Sequence, residues 1–153
     1  MVTIGIDPGY DRLGVAVFEG AELIFSTCLT SNPKDDFPTR LLTIGNELIK
    51  ILKTYKTDSV AVEELFFSKN QTTALKVAEV RGLIMYLAGT TGAKVYQYSP
   101  QAIKLSVAGY GNAPKEQVTL MTKRLVKLPT KPKYDDEYDA IAVGLTHLAH
   151  HPK

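Results

Sequence analysis

The residues best suited to chemistry in this chain are acids at the ends of predicted strands. Asp7 follows the apolar run VTIGI and precedes Pro8-Gly9, so it closes a predicted strand where the chain turns. Glu63 and Glu64 come at the end of the fourth predicted strand, DSVAVE at residues 58–63. A carboxylate at the end of a strand contributes little to packing, but it can reach into a cleft at the edge of a sheet.

Two more acids, Asp136 and Asp139, fall in the first turn of the last predicted helix, residues 135–150. Residues three apart on a helix lie on one face, so both side chains can converge on a single point. Asp also suits a helix N-terminus for electrostatic reasons, and we expect Asp135 to cap this helix. That simpler explanation covers acids of the helix but leaves Asp7 and the pair of Glu residues unexplained.

Four carboxylates would meet at one rim if the first and fourth strands are neighbours. They would repel and raise one another's pKa unless cations neutralise them. Mg²⁺ prefers oxygen ligands, and two such ions about 3.5–4 Å apart stabilise the attacking and leaving oxygens of a phosphoryl displacement. Successive strand residues point to opposite faces, so only one of Glu63 and Glu64 can join Asp7. The spacing leaves open which one does.

The elements that must position these acids follow from the hydrophobic pattern. Residues 2–7, 12–18 and 21–28 predict three strands joined by short turns, which makes them antiparallel neighbours. The remaining pattern predicts, in chain order, a helix at 38–55, a strand at 58–63, a helix at 71–89, a strand at 94–98, and helices at 99–109, 114–128 and 135–150. The chain is therefore predicted to form one α/β domain, residues 1–153, with helices on both faces of a mixed five-stranded sheet that has three antiparallel meander strands and two parallel strands.

Composition excludes several classes of protein. A chain of 153 residues with 44% hydrophobic residues can bury a core without disulfides or a structural metal. The lone Cys28 excludes a disulfide framework and a cysteine zinc site. No secretory leader is recognisable, and no apolar run approaches the ~18 residues of a membrane span. We expect a cytoplasmic protein that does not enter a membrane.

Two further patterns each have two interpretations. Residues 101–133 contain seven Lys or Arg residues and one Glu, although the net charge of the chain is only +2. This segment is either a solvated basic face or a surface for a polyanion.

The helix at 71–89 has a wider apolar stripe than one sheet face requires. It is either buried at the centre of the fold or packed on a second subunit, with Ala78 and Gly82 allowing close approach.

Four segments together resemble one known family. They are IDPGYDRLGVAV, AVEELFFSKN, QAIKLSVAGYGNAPKEQV and DDEYDAIAVGLTH, and they occur in order from residue 4 to about residue 147. In this the chain resembles the RuvC-type Holliday junction resolvases. The resemblance implies a ribonuclease H-like fold and a homodimer, with its interface on the helix at 71–89, that cuts two opposed strands of a four-way DNA junction. It also implies two Mg²⁺ ions per active site, replaceable by Mn²⁺, and a branch-migration helicase complex as a partner.

The resemblance assigns roles residue by residue. It implies that the catalytic, metal-binding carboxylates are Asp7, Glu63, Asp136 and Asp139, which selects Glu63 over Glu64. It places Lys104 and Lys115 near the scissile phosphate. Asp135 matches no functional position of the family, and His147 is implied to be either a packing residue or a residue that supports the ligands, rather than a metal ligand itself.

The resemblance also implies a DNA-binding loop after the fourth strand. Phe66 matches an aromatic residue that stacks on or wedges between bases at the crossover. Phe67 supplies a second ring within reach, and Lys69 lies in the polar, basic stretch that follows. Aromatic residues in pairs are more often core residues, but core Phe is uncommon in a connecting loop.

Three other functions remain open on the sequence alone. IGIDPGYDRLGVAVF also looks like the first phosphate loop of actin-like ATPases and sugar kinases, but 153 residues are too few for their two domains. A non-catalytic junction-binding module would keep the fold, although a pure binder gains nothing from carboxylates that face phosphates. A related ribonuclease H-like nuclease could act on other branched DNA or on RNA.

Overall fold

The computed structural model describes residues 1–66 and 70–152. The strands within these residues are β1 (Val2–Asp7), β2 (Arg12–Glu19), β3 (Glu22–Thr30), β4 (Ser59–Glu63) and β5 (Lys94–Tyr98). The helices are α1 (Phe37–Thr54), α2 (Gln71–Thr90), α3 (Pro100–Ala108), α4 (Lys115–Leu125) and α5 (Asp135–His150). Each of these helices falls short of the length and hydropathy needed to span a bilayer.

The five strands form one mixed sheet in the order β3-β2-β1-β4-β5. β1, β2 and β3 form the antiparallel meander, whereas β1 pairs with β4 and β4 with β5 in parallel. Alternating residues of the strands face two cores. One core lies under α1 and α2, and the other side of the sheet is covered by α5, against which α3 and α4 pack. The predicted fold class, with helices on both faces, is confirmed.

The main error in the predicted boundaries concerns α4, which ends at Leu125 rather than near Leu128. Val126 is extended, with φ −127° and ψ 148°. Val126 and Leu128 instead pack against the core cluster that contains Phe18. Packing of two apolar side chains on this core therefore outweighs the three further residues of helix that the sequence predicted.

Two glycines allow α5 to lie directly on the sheet. A Cβ atom at Gly5 in β1 would overlap the carbonyl oxygen of Ala140, and one at Gly14 in β2 would overlap the carbonyl oxygen of Asp136. Only glycine leaves room for backbone to approach backbone this closely. As a result, the first turn of α5 lies over the end of β1, where Asp7 is.

At the opposite end of α5, His147 belongs to a buried hydrogen-bond network. Its side chain is only 3% exposed. His147 Nε2 lies 3.2 Å from Ser59 Oγ and Nδ1 lies 2.9 Å from the hydroxyl of Tyr98, while the rings of Tyr96 and His151 stack beside it. Burial, together with the nearby charges of His151 and His150, lowers the pKa of His147 to about 4. His147 is therefore a packing residue, as the sequence indicated.

We expect His147 to make the stability of the protein pH-dependent. Because its folded pKa lies below the usual 6.5, the unfolded state binds the proton first as the pH falls. The contribution is complete above pH 6.5 and is lost between pH 6.5 and about 4, on the order of 3 kcal/mol. Urea unfolding at several pH values should show that the advantage of wild type over His147→Gln shrinks across this window.

The matched control is Tyr98→Phe, which removes one hydrogen-bond partner but keeps the imidazole. It should lower the free energy of unfolding while retaining the pH dependence of wild type. A wild-type advantage over His147→Gln that stayed constant from pH 7 to pH 4 would contradict this assignment.

Candidate active site

Asp7 and Glu63 lie side by side at one edge of the sheet. β1 and β4 are parallel neighbours with Ile6 opposite Val62, so the next residue of each strand comes at the same level. Both carboxylates point to the face covered by α5, because Ile6 and Val62 point to the opposite core. Glu64 is exposed, and its backbone N–H donates to the Tyr98 carbonyl at 2.8 Å. The structure thus places Glu63, rather than Glu64, beside Asp7.

The end of β4 is held by a side chain that the sequence did not single out. Arg81 of α2 donates from Nε to the Glu63 carbonyl oxygen at 3.0 Å. Its guanidinium also donates to the side-chain oxygen of Gln97 on β5. Arg81 therefore ties α2 to both strands at the point where Glu63 leaves the sheet.

The first turn of α5 brings the other two acids over Asp7. Asp136 pairs with Arg12, with 3.1 Å between Oδ2 and Nε, and Asp139 pairs with Lys115, with 3.2 Å between Oδ2 and Nζ. Each of these carboxylates therefore has a cation beside it. Lys115 is the first residue of α4, directly after Pro114, as the sequence predicted.

The prediction that Asp135 caps α5 is wrong. Tyr134 is the N-cap residue and makes no side-chain capping bond, while Asp135 is an exposed first-turn residue. Glu137, in the first turn of α5, instead fixes the segment before the helix, since its carboxylate accepts from the Lys133 N–H at 3.0 Å and from Ser26 Oγ at 2.9 Å.

The acids act on one another electrostatically. Burial raises the pKa of Asp7 well above its usual value, and the charges of Asp139, Glu63 and Asp136 raise it further. Burial and, after it, the charge of Asp139 likewise raise the pKa of Glu63. Burial also raises the pKa of Asp139, although the charge of Lys115 acts to lower it. The other three carboxylates thus act on Asp7, and the excess negative charge of the four favours a cation at this point.

Two of the cavities lie at opposite ends of the parallel strands. The cavity near His147 has a volume of about 780 Å³. The cavity beside the acids has a volume of about 510 Å³. Glu63, Lys104, Lys115 and Asp139 all line it, with apolar side chains of α3, α4 and α5 forming its floor. Both lysines predicted to meet a phosphate therefore open onto the same space as two of the acids.

The predicted DNA-binding loop follows Glu63 directly. Phe66 is 64% exposed, which excludes a core role for its ring. Phe67 and Lys69 lie outside the described residues. The structure thus places one of the three residues of this loop near the acids, exposed to solvent.

The donor set suits a hard divalent cation. All four side chains offer carboxylate oxygens, the ligands that Mg²⁺ and Mn²⁺ prefer. Nevertheless, within residues 1–66 and 70–152 no three His, Cys, Asp or Glu side chains lie close enough to form a ready-made metal group. The ion pairs of Asp136 with Arg12 and of Asp139 with Lys115 agree with this finding, because each occupies a carboxylate that a metal would use.

Comparison with known proteins identifies the family. Residues 3–147 match the family model described as crossover junction endodeoxyribonuclease RuvC. The proteins of that name from Caldanaerobacter subterraneus subsp. tengcongensis and Petrotoga mobilis are 42% and 40% identical over 151 residues. The alignments cover 96% of this chain and 92% and 93% of those proteins.

Solved structures agree with the sequence relatives. The structure of Thermus thermophilus RuvC in complex with a Holliday junction substrate has a TM-score of 0.89 at 34% identity, covering 98% of this chain and 94% of that one. The yeast mitochondrial Holliday junction resolvase Ydc2 shares the fold, with a TM-score of 0.68 at 14% identity, covering 96% of this chain and 78% of that one. The chain therefore belongs to the RuvC family of crossover junction endodeoxyribonucleases.

Proposed function

We propose that this protein is a metal-dependent endonuclease that resolves four-way DNA junctions by paired, symmetric nicks during recombination and repair. The observation that carries the proposal is the convergence of Asp7, Glu63, Asp136 and Asp139 beside a cavity that Lys104 and Lys115 also face. Its relatives at about 40% identity bear the name of this activity. Since the substrate is DNA, we expect a cytoplasmic location.

In this proposal the four carboxylates hold two Mg²⁺ ions, which Mn²⁺ can replace. The chemistry that such ions supply when bound is stabilisation of the attacking and leaving oxygens of a phosphoryl displacement. Asp7 anchors the site from the end of β1. Lys104 and Lys115 stabilise negative charge on the scissile phosphate from within the cavity.

DNA recognition in this proposal depends mainly on the phosphate backbone. The exposed ring of Phe66 stacks on bases at the crossover, with Phe67 and Lys69 assisting, and one stacked base is worth about 1–3 kcal/mol. Lysines of the segment 101–133 meet phosphates of the arms, so junction binding should weaken steeply with salt. A branch-migration helicase complex is the expected partner for supplying mobile junctions.

The direct test is cleavage of a synthetic four-way junction in Mg²⁺ and in EDTA. Forks, flaps, linear duplexes and RNA–DNA hybrids of the same sequence are the matched competitors. The proposal requires paired, symmetric nicks that need the metal and are confined to the junction. Preferred cleavage of a hybrid or a flap would instead identify a related nuclease, and tight binding without nicks would identify a junction-binding module.

We further propose that the protein acts as a homodimer through α2. One face of this helix leaves Leu75 and Tyr86 64% and 69% exposed, and Met85 lies beside them. A Cβ atom at Gly82, between them on the helix, would meet no neighbour within 4 Å. An apolar helix face with a small residue at its centre suits close packing on a second copy of itself.

Tyr86→Glu is expected to separate the two copies. Burying an unpaired carboxylate in the interface costs about 2–4 kcal/mol, which weakens dimerisation about 30- to 1000-fold. Light scattering should show a monomer, and the two nicks in one junction should lose their coupling. Leu42→Glu is the matched control, since Leu42 is 63% exposed on α1. A Tyr86→Glu variant that remained a dimer with coupled nicks would place the interface elsewhere.

A further inference from the structure

Arg12 lies at the rim of the site, but neither the sequence nor the family resemblance assigns it a role. It begins β2 and pairs with Asp136, and its guanidinium lies 5.1 Å from the centre of the Tyr134 ring. The Arg12 side chain is 50% exposed, whereas Asp136 is only 19% exposed. The pair therefore lies at the mouth of the site, with the cation toward solvent and the carboxylate toward Asp7.

Arg12 neutralises a carboxylate that the proposed function assigns to the metal. A carboxylate oxygen that is paired with a guanidinium is less available to a second cation, so Arg12 and the metal compete for Asp136. Because the Arg12 guanidinium is half exposed to solvent, the ion pair is weak, and Arg12 can be displaced without disturbing the fold.

A DNA phosphate can take the place of Asp136 as the partner of Arg12. A guanidinium has five N–H donors in a planar fork that matches phosphate, more than one carboxylate uses. Beside the pair is a cavity of about 230 Å³, also lined by Gly9, Tyr10, Asp11 and Thr73. The Asp11 carboxylate is itself neutralised by an ion pair with Arg40. This space can admit a phosphate on the solvent side of Arg12.

We propose that Arg12 is a DNA-phosphate ligand that, in the absence of DNA, occupies Asp136 in place of the metal. The phosphate binds Arg12 and the metal binds Asp136. Binding of either ligand therefore releases the residue that the other ligand needs. By linkage, junction binding then raises the affinity for metal, and metal raises the affinity for the junction. This inference rests on the proposed function, because it takes Asp136 as a metal ligand.

The test measures binding rather than cleavage. Mn²⁺ affinity without DNA is measured by electron paramagnetic resonance for wild type, Arg12→Gln and Arg12→Lys. Junction affinity in EDTA is measured by fluorescence anisotropy at several salt concentrations for the same proteins. Lys50→Gln is the matched control, because Lys50 pairs with Glu47 at 2.7 Å on α1, across the sheet from the site.

Arg12→Gln should bind Mn²⁺ about 2- to 5-fold more tightly than wild type in the absence of DNA. Its junction affinity should fall, and the slope of log affinity against log salt should decrease by about one. Arg12→Lys should keep most of the salt slope, and Lys50→Gln should match wild type in both measurements. Weaker or unchanged Mn²⁺ binding by Arg12→Gln, or an unchanged salt slope, would overturn the inference. Failure of the wild type to bind Mn²⁺ or the junction would instead overturn the proposed function.

Discussion

Replacing Asp7 by Asn is expected to abolish junction cleavage while raising the stability of the metal-free protein. Asp7 is the acid on which the other three converge, and the proposed site cannot hold its cations without this carboxylate. Loss of this charge should lower the single-turnover cleavage rate at least about 1000-fold, the equivalent of about 4 kcal/mol in the barrier. Junction affinity in EDTA should stay close to that of wild type.

The stability effect follows from the sign of the pKa shift. The folded pKa of Asp7 is raised above its unfolded value by burial and by Asp139, Glu63 and Asp136. The ionised carboxylate therefore destabilises the folded state at any pH above the usual carboxyl range. Asn carries no charge at any pH, so the variant escapes this cost. In EDTA at pH 7.5 its melting temperature should be a few degrees higher than that of wild type.

Asp135→Asn is the matched control, because Asp135 is an exposed acid in the same turn as Asp136. Asp135→Asn should have about the same cleavage rate and about the same melting temperature as wild type. Adding Mg²⁺ should stabilise wild type by mass action and should stabilise Asp7→Asn far less. An Asp7→Asn variant that cut at the wild-type rate, or that melted below wild type in EDTA, would show that Asp7 serves the fold rather than the chemistry.

The sequence predicted the fold well because its signals are local. Short turns after residues 7 and 19 allow only antiparallel pairing, and strand and helix periods differ enough to be told apart. The end of α4 was misjudged because its helical pattern continues locally, whereas Val126 and Leu128 are drawn to a distant core that contains Phe18. A contact between segments so far apart in the chain cannot be predicted from the local spacing of apolar residues.

The site could likewise be predicted only where the answer depends on neighbouring residues in the sequence. Alternation along β4 established that only one Glu could join Asp7, but the choice depends on the face that receives α5, which residue spacing alone did not settle. The partners of individual side chains were not predicted from the sequence. The pairing of Arg12 with Asp136 and the hydrogen bond from Arg81 to the Glu63 carbonyl both join separate elements. Such contacts become visible only once the sheet register and the helix positions are known.

Gly14→Ala is expected to lose both stability and cleavage, because Gly14 sets the distance between the sheet and α5. The added Cβ atom would overlap the carbonyl oxygen of Asp136, which is backbone and cannot rotate away. The start of α5 must move outward, and overpacking of this kind costs about 1–3 kcal/mol in the free energy of unfolding. Urea unfolding measures this loss directly.

The same displacement carries Asp136 away from Asp7, since both belong to the elements being separated. A misplacement of about 1 Å can cost about 100-fold in rate, so cleavage should fall at least that far even where the variant is fully folded by circular dichroism. Gly89→Ala is the matched control: its Cβ would meet no neighbour within 4 Å. On a helix that change should stabilise the fold by up to about 1 kcal/mol. If Gly14→Ala kept the wild-type cleavage rate, the close approach of α5 would serve only the core, and the geometry of the acids would depend on other contacts.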